Sequence, residues 1–249
     1  MQIQDNIENI YTIIRPLDEG TFSITYLVKN ENDHNQYAAK VMDDFVDQQH
    51  FSREVQITTI ISGLNNPNLI HLFHHGNGKI TIGGDVIQRN YLILDYHSKG
   101  SLFEYVEIPG HGFTELYAKN IFYKILRGVK AFHGAAICHR QLTLENILLD
   151  QNYNPIICNF ELATNNNVNS LNDFFGVQGY RAPQIINHQI YNGFKADIFT
   201  LGALLFNLVT GLRGFHDANV NDINYGLIYH HHFNEYWDNM QNIGINPSQ

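Results

Sequence analysis

Four stretches of the 249-residue chain place reactive side chains where chemistry could be done. Lys40 stands in the strand-like run Gln36–Met42, between Ala39 and Val41. A lone lysine on a strand is ordinarily a solvated charge, but apolar residues on both sides favour an inward ammonium. Glu54 falls in a helical stretch, His50–Ile61, whose Val55, Ile57, Ile60 and Ile61 make an apolar side. Read alone it is an exposed helix charge. The third stretch is His139–Asn146, His-Arg-Gln-Leu-Thr-Leu-Glu-Asn, and the fourth is Asn159-Phe160-Glu161. Gln141 and Asn159 are amides. An amide cannot take a proton as a carboxylate does, and as a neutral oxygen ligand it lacks the charge that holds a divalent cation.

The remaining candidates are plainer. His230-His231-His232 are adjacent, so on a helix they point in different directions and read as a surface run rather than a metal site. His71, His74 and His75 lie at a strand end. Cys138 and Cys158, the only cysteines, directly precede the third and fourth stretches and read as two buried thiols. A disulfide scaffold is excluded at this size and count.

The elements that must position these groups follow in order. Ile10–Leu17 and Ile24–Lys29 read as strands around the turn Asp18–Ser23, which alone predicts a plain hairpin. Asn66-Pro67-Asn68 ends the helix of Glu54 and starts a strand, Leu69–His75. Lys79–Gln88 reads as a glycine-containing hairpin and Tyr91–Tyr96 as an apolar strand. Thr114–His133 is a long helix with Thr114 as its cap, and Ala118, Phe122, Ile125, Val129 and Phe132 form one apolar face. Ile147–Leu149 and Asn154–Cys158 are short strands. Phe194–Leu212 is nearly apolar all round, which predicts a buried helix. Phe233–Met240 carries a stripe of Phe233, Tyr236, Trp237 and Met240.

Taken together, these motifs resemble the eukaryotic protein kinase family, of serine/threonine type, over about residues 10 to 245. The family's catalytic loop reads H-R-D-L-x-x-x-N, and here His139, Arg140, Leu142 and Asn146 match while Gln141 replaces the Asp and Thr143 the Lys. Asn159-Phe160-Glu161 stands for D-F-G, and Gly179-Tyr180-Arg181-Ala182-Pro183-Gln184 for the segment ending in A-P-E. Val177 replaces a usual Thr. Of the glycine-rich loop only Gly20 remains, with Asp18 and Ser23 in place of the flanking glycines. The resemblance implies an α+β, bilobal protein kinase-like fold, with a small β-rich N-lobe (1–95) and a larger helical C-lobe (96–249) cut short at its end. It implies that Lys40 pairs with Glu54 and that Gly20, Thr25, Ala38, Lys40, Glu54, Leu94, Asp95, His97 and Leu148 surround a nucleotide. Leu94 is then the gatekeeper, and Asp95, Tyr96 and His97 the hinge. Asn146 and Asn159 are left as weak or absent metal positions. Asp197 matches the residue that holds the catalytic loop's backbone. Asp173 occupies the position of an activation-loop phosphothreonine, facing Arg140. A neutral Gln184 fits the absence of the Arg-bearing segment that partners the family's Glu.

The functional expectation is a pseudokinase, a catalytically inactive scaffold or allosteric binding module. ATP binding without turnover is possible in this reading, and Mg2+ is doubtful. The alternative is a weakly active or atypical ATP-dependent serine/threonine kinase, with Glu161 supplying a carboxylate. With only 15 basic residues and a net charge of -9, no Lys/Arg run replaces nucleic-acid counterions. No apolar signal opens the chain, and Ala196–Leu212 contains Asp197 and Asn207, so no membrane insertion is expected. The expected setting is cytoplasmic. The expected partner is a protein, within a large assembly, reached through an interaction surface at the C-terminal end.

Overall fold

The computed structural model describes residues 5–106 and 112–242. Contacts divide the chain into two compact units, Met1–Asn65 with Ile70–His97, and Asn66–Leu69 with Ser98–Gln249.

The first unit is built on a sheet of six strands, β1 (Asn6–Ile7), β2 (Tyr11–Glu19), β3 (Ser23–Asn30), β4 (Gln36–Met42), β5 (Leu72–Ile82) and β6 (Asp85–Asp95). The order β1-β2-β3-β4-β6-β5 closes on itself as a barrel. Closure rests on β1, which pairs antiparallel with both β2 and β5 through only two residues. That strand was invisible in the periodicity, because two residues carry none. Its Ile7 is fully buried among Tyr11, Val28, Ala39, Val41, Ile80, Tyr91 and Ile93. The sequence split Leu69–His75 from a separate hairpin at Lys79–Gln88. Instead, β5 runs unbroken through Gly76 and Gly78 and turns at Gly83-Gly84, both at positive φ as a two-residue hairpin turn requires. One helix, α1 (Gln48–Gly63), completes the unit. Asp47 caps it by accepting from the His50 N–H at 2.7 Å, and Phe51, Ile57 and Ile61 are buried.

The second unit is helical apart from the hairpin β7 (Ile147–Leu149) and β8 (Pro155–Ile157). Its helices are α2 (Phe103–Val106), α3 (Glu115–Gly134), a 3-10 turn at Leu144–Asn146, α4 (Pro183–Ile186), α5 (Gly193–Thr210), α6 (Ile223–Tyr229) and α7 (Phe233–Asn242). Helix α3 buries Ala118, Ile121, Ile125, Gly128, Val129 and Phe132. Phe122 is only half-buried. Gly128 is buried because a Cβ there would lie 2.8 Å from Ile157, so the helix meets β8 at that point. Thr114 does hold the N-cap position, but its side chain makes no capping bond.

Helix α5 is capped by Asn192, whose side chain accepts from the Lys195 N–H, and is ended by Gly211 at φ 71. It departs from the expectation of burial all round: Ile198 is 57% and Val209 45% exposed. By length and composition it could cross a membrane. Its polar residues, however, are used inside the unit, since Thr200 Oγ1 donates to the Tyr180 carbonyl at 3.0 Å and Asn207 Nδ2 to the Tyr180 hydroxyl at 3.2 Å. The α7 stripe is divided. Tyr236 and Met240 fold back onto Phe206, Leu212, Leu227 and Ile228, while Phe233 and Trp237 stay exposed. The C-terminal interaction surface was expected on this stripe, of which Phe233 and Trp237 remain exposed; residues from Ile243 onward lie outside the described residues.

Candidate active site

In the first unit, Lys40 comes from the middle of β4, a strand buried on both faces between β3 and β6. Its Nζ lies 2.7 Å from Glu54 Oε1 on α1, with side chains 8% and 4% exposed. The expected pair is formed, and it is buried. Taking two charges out of water is tolerable only because each neutralises the other. Around it, Thr25 pairs with Lys40 across β3–β4, and Ala38 with Leu94 across β4–β6. Ala38 is buried, and Leu94, Asp95 and His97 are half-buried. The Asp95 carboxylate is committed to the fold: Oδ2 accepts from the His71 N–H at 3.0 Å, beside a backbone bond from the Asp95 N–H to the His71 carbonyl. Gly20 is exposed at a tight turn, its N–H donating to the Ser23 carbonyl at 2.9 Å. Ser23 is buried at the start of β3 rather than projecting from the turn.

In the second unit, the loop His139–Asn146 hangs from one fully buried carboxylate. Asp197 Oδ2 accepts from the His139 N–H at 2.8 Å and from His133 Nε2 at 2.9 Å, and Oδ1 accepts from the Arg140 N–H at 2.8 Å. This is the backbone-holding role expected of Asp197. The plain alternative, an acid favoured by the helix dipole, does not apply, because Asp197 lies beyond the first turn of α5. His133 was not anticipated. It sits at the end of α3, and only tertiary packing brings it to Asp197.

His139 is fully buried, and burial pushes its pKa down, Asp197 opposing. Its hydrogen bonds agree with a neutral ring. Nδ1 accepts from the Gln141 N–H at 3.2 Å, so the proton is on Nε2, which donates to the Cys158 carbonyl at 3.0 Å. Cys158 in turn donates its N–H to the Asn146 carbonyl at 3.0 Å. The third and fourth stretches are thereby tied together through one imidazole.

The residues at the metal positions bind each other. Asn159 Nδ2 donates to Asn146 Oδ1 at 3.1 Å, and Asn146 Nδ2 donates to the Gln141 carbonyl at 2.9 Å. Asn159 is held at φ 60, a left-handed conformation that asparagine tolerates. The oxygen with which Asn146 would meet a cation accepts a protein hydrogen bond, and neither amide carries charge. Magnesium is usually held by one or two carboxylates together with phosphates and water, and neither Asn146 nor Asn159 supplies a carboxylate. Gln141 Oε1 is buried with no hydrogen-bond partner, and Thr143 is buried. Leu148 is half-buried on β7, paired with Ile156.

The activation segment is ordered by Arg140. Its Nη1 lies 2.7 Å from Asp173 Oδ2, its Nε donates to the Leu162 carbonyl at 2.6 Å, and the Phe175 ring stacks on the guanidinium at 4.7 Å. Asp173 thus takes the place expected of it. The aromatic contacts were missed: Phe174 packs between Arg181, at 4.5 Å, and His188, at 4.8 Å. Two adjacent phenylalanines were the available signal. Gln184 is exposed.

This fold and site define a protein kinase domain, and the chain belongs to that family: the family model for the protein kinase domain matches residues 11–244. Among its relatives, CBL-interacting protein kinase 26 of Oryza sativa is 30% identical over 219 residues, covering 84% of this chain and 42% of the rice protein. The "Probable serine/threonine-protein kinase 2" of Plasmodium falciparum is 31% identical over 220 residues, covering 87% of this chain and 41% of that protein. The chain therefore spans about two-fifths of the length of the curated relatives it matches.

Proposed function

We propose that this kinase domain performs no metal-dependent phosphoryl transfer and acts as a pseudokinase, a scaffold or binding module for a protein partner in the cytoplasm. The observation that carries this reading is the amide relay Asn159–Asn146–Gln141, which fills the metal positions with hydrogen bonds. Phosphoryl transfer depends on positioning plus charge at the phosphates, and both the carboxylate of the catalytic loop and that of the metal motif are absent. The buried Lys40–Glu54 pair supports retained nucleotide binding without turnover. The same pair, together with the serine/threonine kinase relatives, favours the second reading, a weakly active ATP-dependent kinase.

Radiolabelled ATP with generic protein substrates separates the two. Steady Mg2+- or Mn2+-dependent turnover, lost in Lys40→Arg, would overturn the pseudokinase reading. A thermal-shift titration with ATP, with and without metal, reports nucleotide binding, because a ligand of the native state raises apparent stability. Restoring Gln141→Asp and Asn159→Asp together is expected to leave activity far below an ordinary kinase. Thr143, Glu161 and the eroded glycine turn remain, and catalytic groups that act as a unit are not additive.

A further inference from the structure

The turn between β2 and β3 and the strands behind it lie wholly in the first unit, and they bring a carboxylate onto the face of Lys40. Register partners across an antiparallel pair point to the same side of the sheet. Asp18 lies opposite Thr25, Thr25 opposite Lys40, and Lys40 opposite Leu92. These residues form one row on the face that meets α1, where Leu92 packs with Phe51 and Lys40 reaches Glu54. Glu19, opposite Ile24, turns to the other face. With strands about 4.8 Å apart, Asp18 stands about 10 Å from Lys40 along the row. It is exposed there, at the position where the family has a glycine.

The charge on this face does not suit a polyphosphate. The Lys40 ammonium is already offset by Glu54 at 2.7 Å. Arg15, opposite Leu27, turns back along its own strand, Nη1 donating to the Pro16 carbonyl at 3.2 Å. Asp18 therefore adds negative charge beside a neutralised lysine. The turn is also closed on itself. The Gly20 N–H, which a phosphate cradle would aim at the ligand, donates to the Ser23 carbonyl at 2.9 Å. The Phe22 carbonyl accepts from the Asp43 N–H at 3.0 Å, and its ring lies 5.2 Å from His50 on α1. One row further along, Ala38 opposite Leu94 is apolar, and it suits an uncharged ring.

Building on the nucleotide binding proposed above, we propose that this site takes adenosine, or a similarly uncharged nucleoside, in preference to ATP, each added phosphate weakening binding. Asp18 is the residue that sets the preference.

The test uses the full chain and calorimetric titration with adenosine, AMP, ADP and ATP, each without and with Mg2+. Affinity is expected to fall in that order, with ATP about tenfold weaker than adenosine, and Mg2+ should not reverse it. Asp18→Asn is expected to narrow the adenosine-to-ATP ratio by about three- to tenfold. Glu19→Gln, on the opposite face, should leave that ratio where it is. Both positions are exposed, and melts without ligand check that both variants fold. Affinity rising from adenosine to ATP, with or without Mg2+, would overturn the proposal. So would a ratio that the two variants shift equally. Binding by none of the four compounds would overturn nucleotide binding itself, and the preference with it.

Discussion

The two units treat their family motifs in opposite ways. The first keeps a buried ion pair, Lys40–Glu54, whose members neutralise each other. The second has Asn159 where the family has a metal-facing Asp and Gln141 where it has the catalytic-loop Asp, and Asn159 hydrogen-bonds to the retained Asn146. The difference is one of what each charge has for a partner. A carboxylate placed to hold a cation is an unneutralised charge without it, and an amide at Asn159 removes that charge. Lys40 and Glu54 each offset the other's buried charge.

That contrast can be broken by mutation. The largest effect is expected at Lys40→Ala, which strands a carboxylate that is 4% exposed and should cost about 3–5 kcal/mol in urea unfolding. Lys40→Met with Glu54→Leu should restore most of it. Asn159→Ala in the second unit removes the neutral hydrogen bond to Asn146 and should cost about 1 kcal/mol. Equal losses at the two positions would erase the distinction.

The next expected effect is on pH. His139 has a folded pKa pushed below its ordinary 6.5 by burial, so the unfolded chain binds the proton more readily. Its stabilising contribution is complete above about pH 6.5 and is lost progressively as pH falls below it, at no more than about 1.4 kcal/mol per pH unit. Urea midpoints measured between pH 8 and 5 check this. His139→Asn should flatten that part of the profile.

A smaller change follows from Asp173→Asn. The carboxylate is 45% exposed, so solvent screens the pair with Arg140 and the global loss should stay within about 1 kcal/mol. Limited proteolysis should nevertheless show faster cleavage between residues 162 and 178. The smallest effect is chemical. Burial pushes the Cys138 thiol up to about 12, so it should resist alkylation at pH 8 until the chain unfolds, while the partly exposed Cys158 labels first.

Spacing alone made much of this legible. Lys40, Glu54, Asp197 and Asp173 each sit where motif order predicted, because those contacts are fixed by register along β4, α1, α5 and the activation segment. What stayed hidden depends on partners remote in sequence. Ile7 is too short a signal to read as a strand. The Asn159–Asn146 bond joins two positions that were each assigned to an absent ion. Helix α5 exposes Ile198 and Val209 while burying Asp197, Thr200 and Asn207, so apolar content alone did not tell its faces apart.

Closure of the first unit's barrel has a consequence for how the chain is made. Asn6 pairs with Thr81, 75 residues later, so β1 leaves the ribosome well before its partner strand exists. At about 5–20 residues per second that interval is roughly 4–15 s. Throughout it, β1 can already pair with β2, but the edge it turns to β5 must wait unpaired, so the barrel closes only after β5 is made.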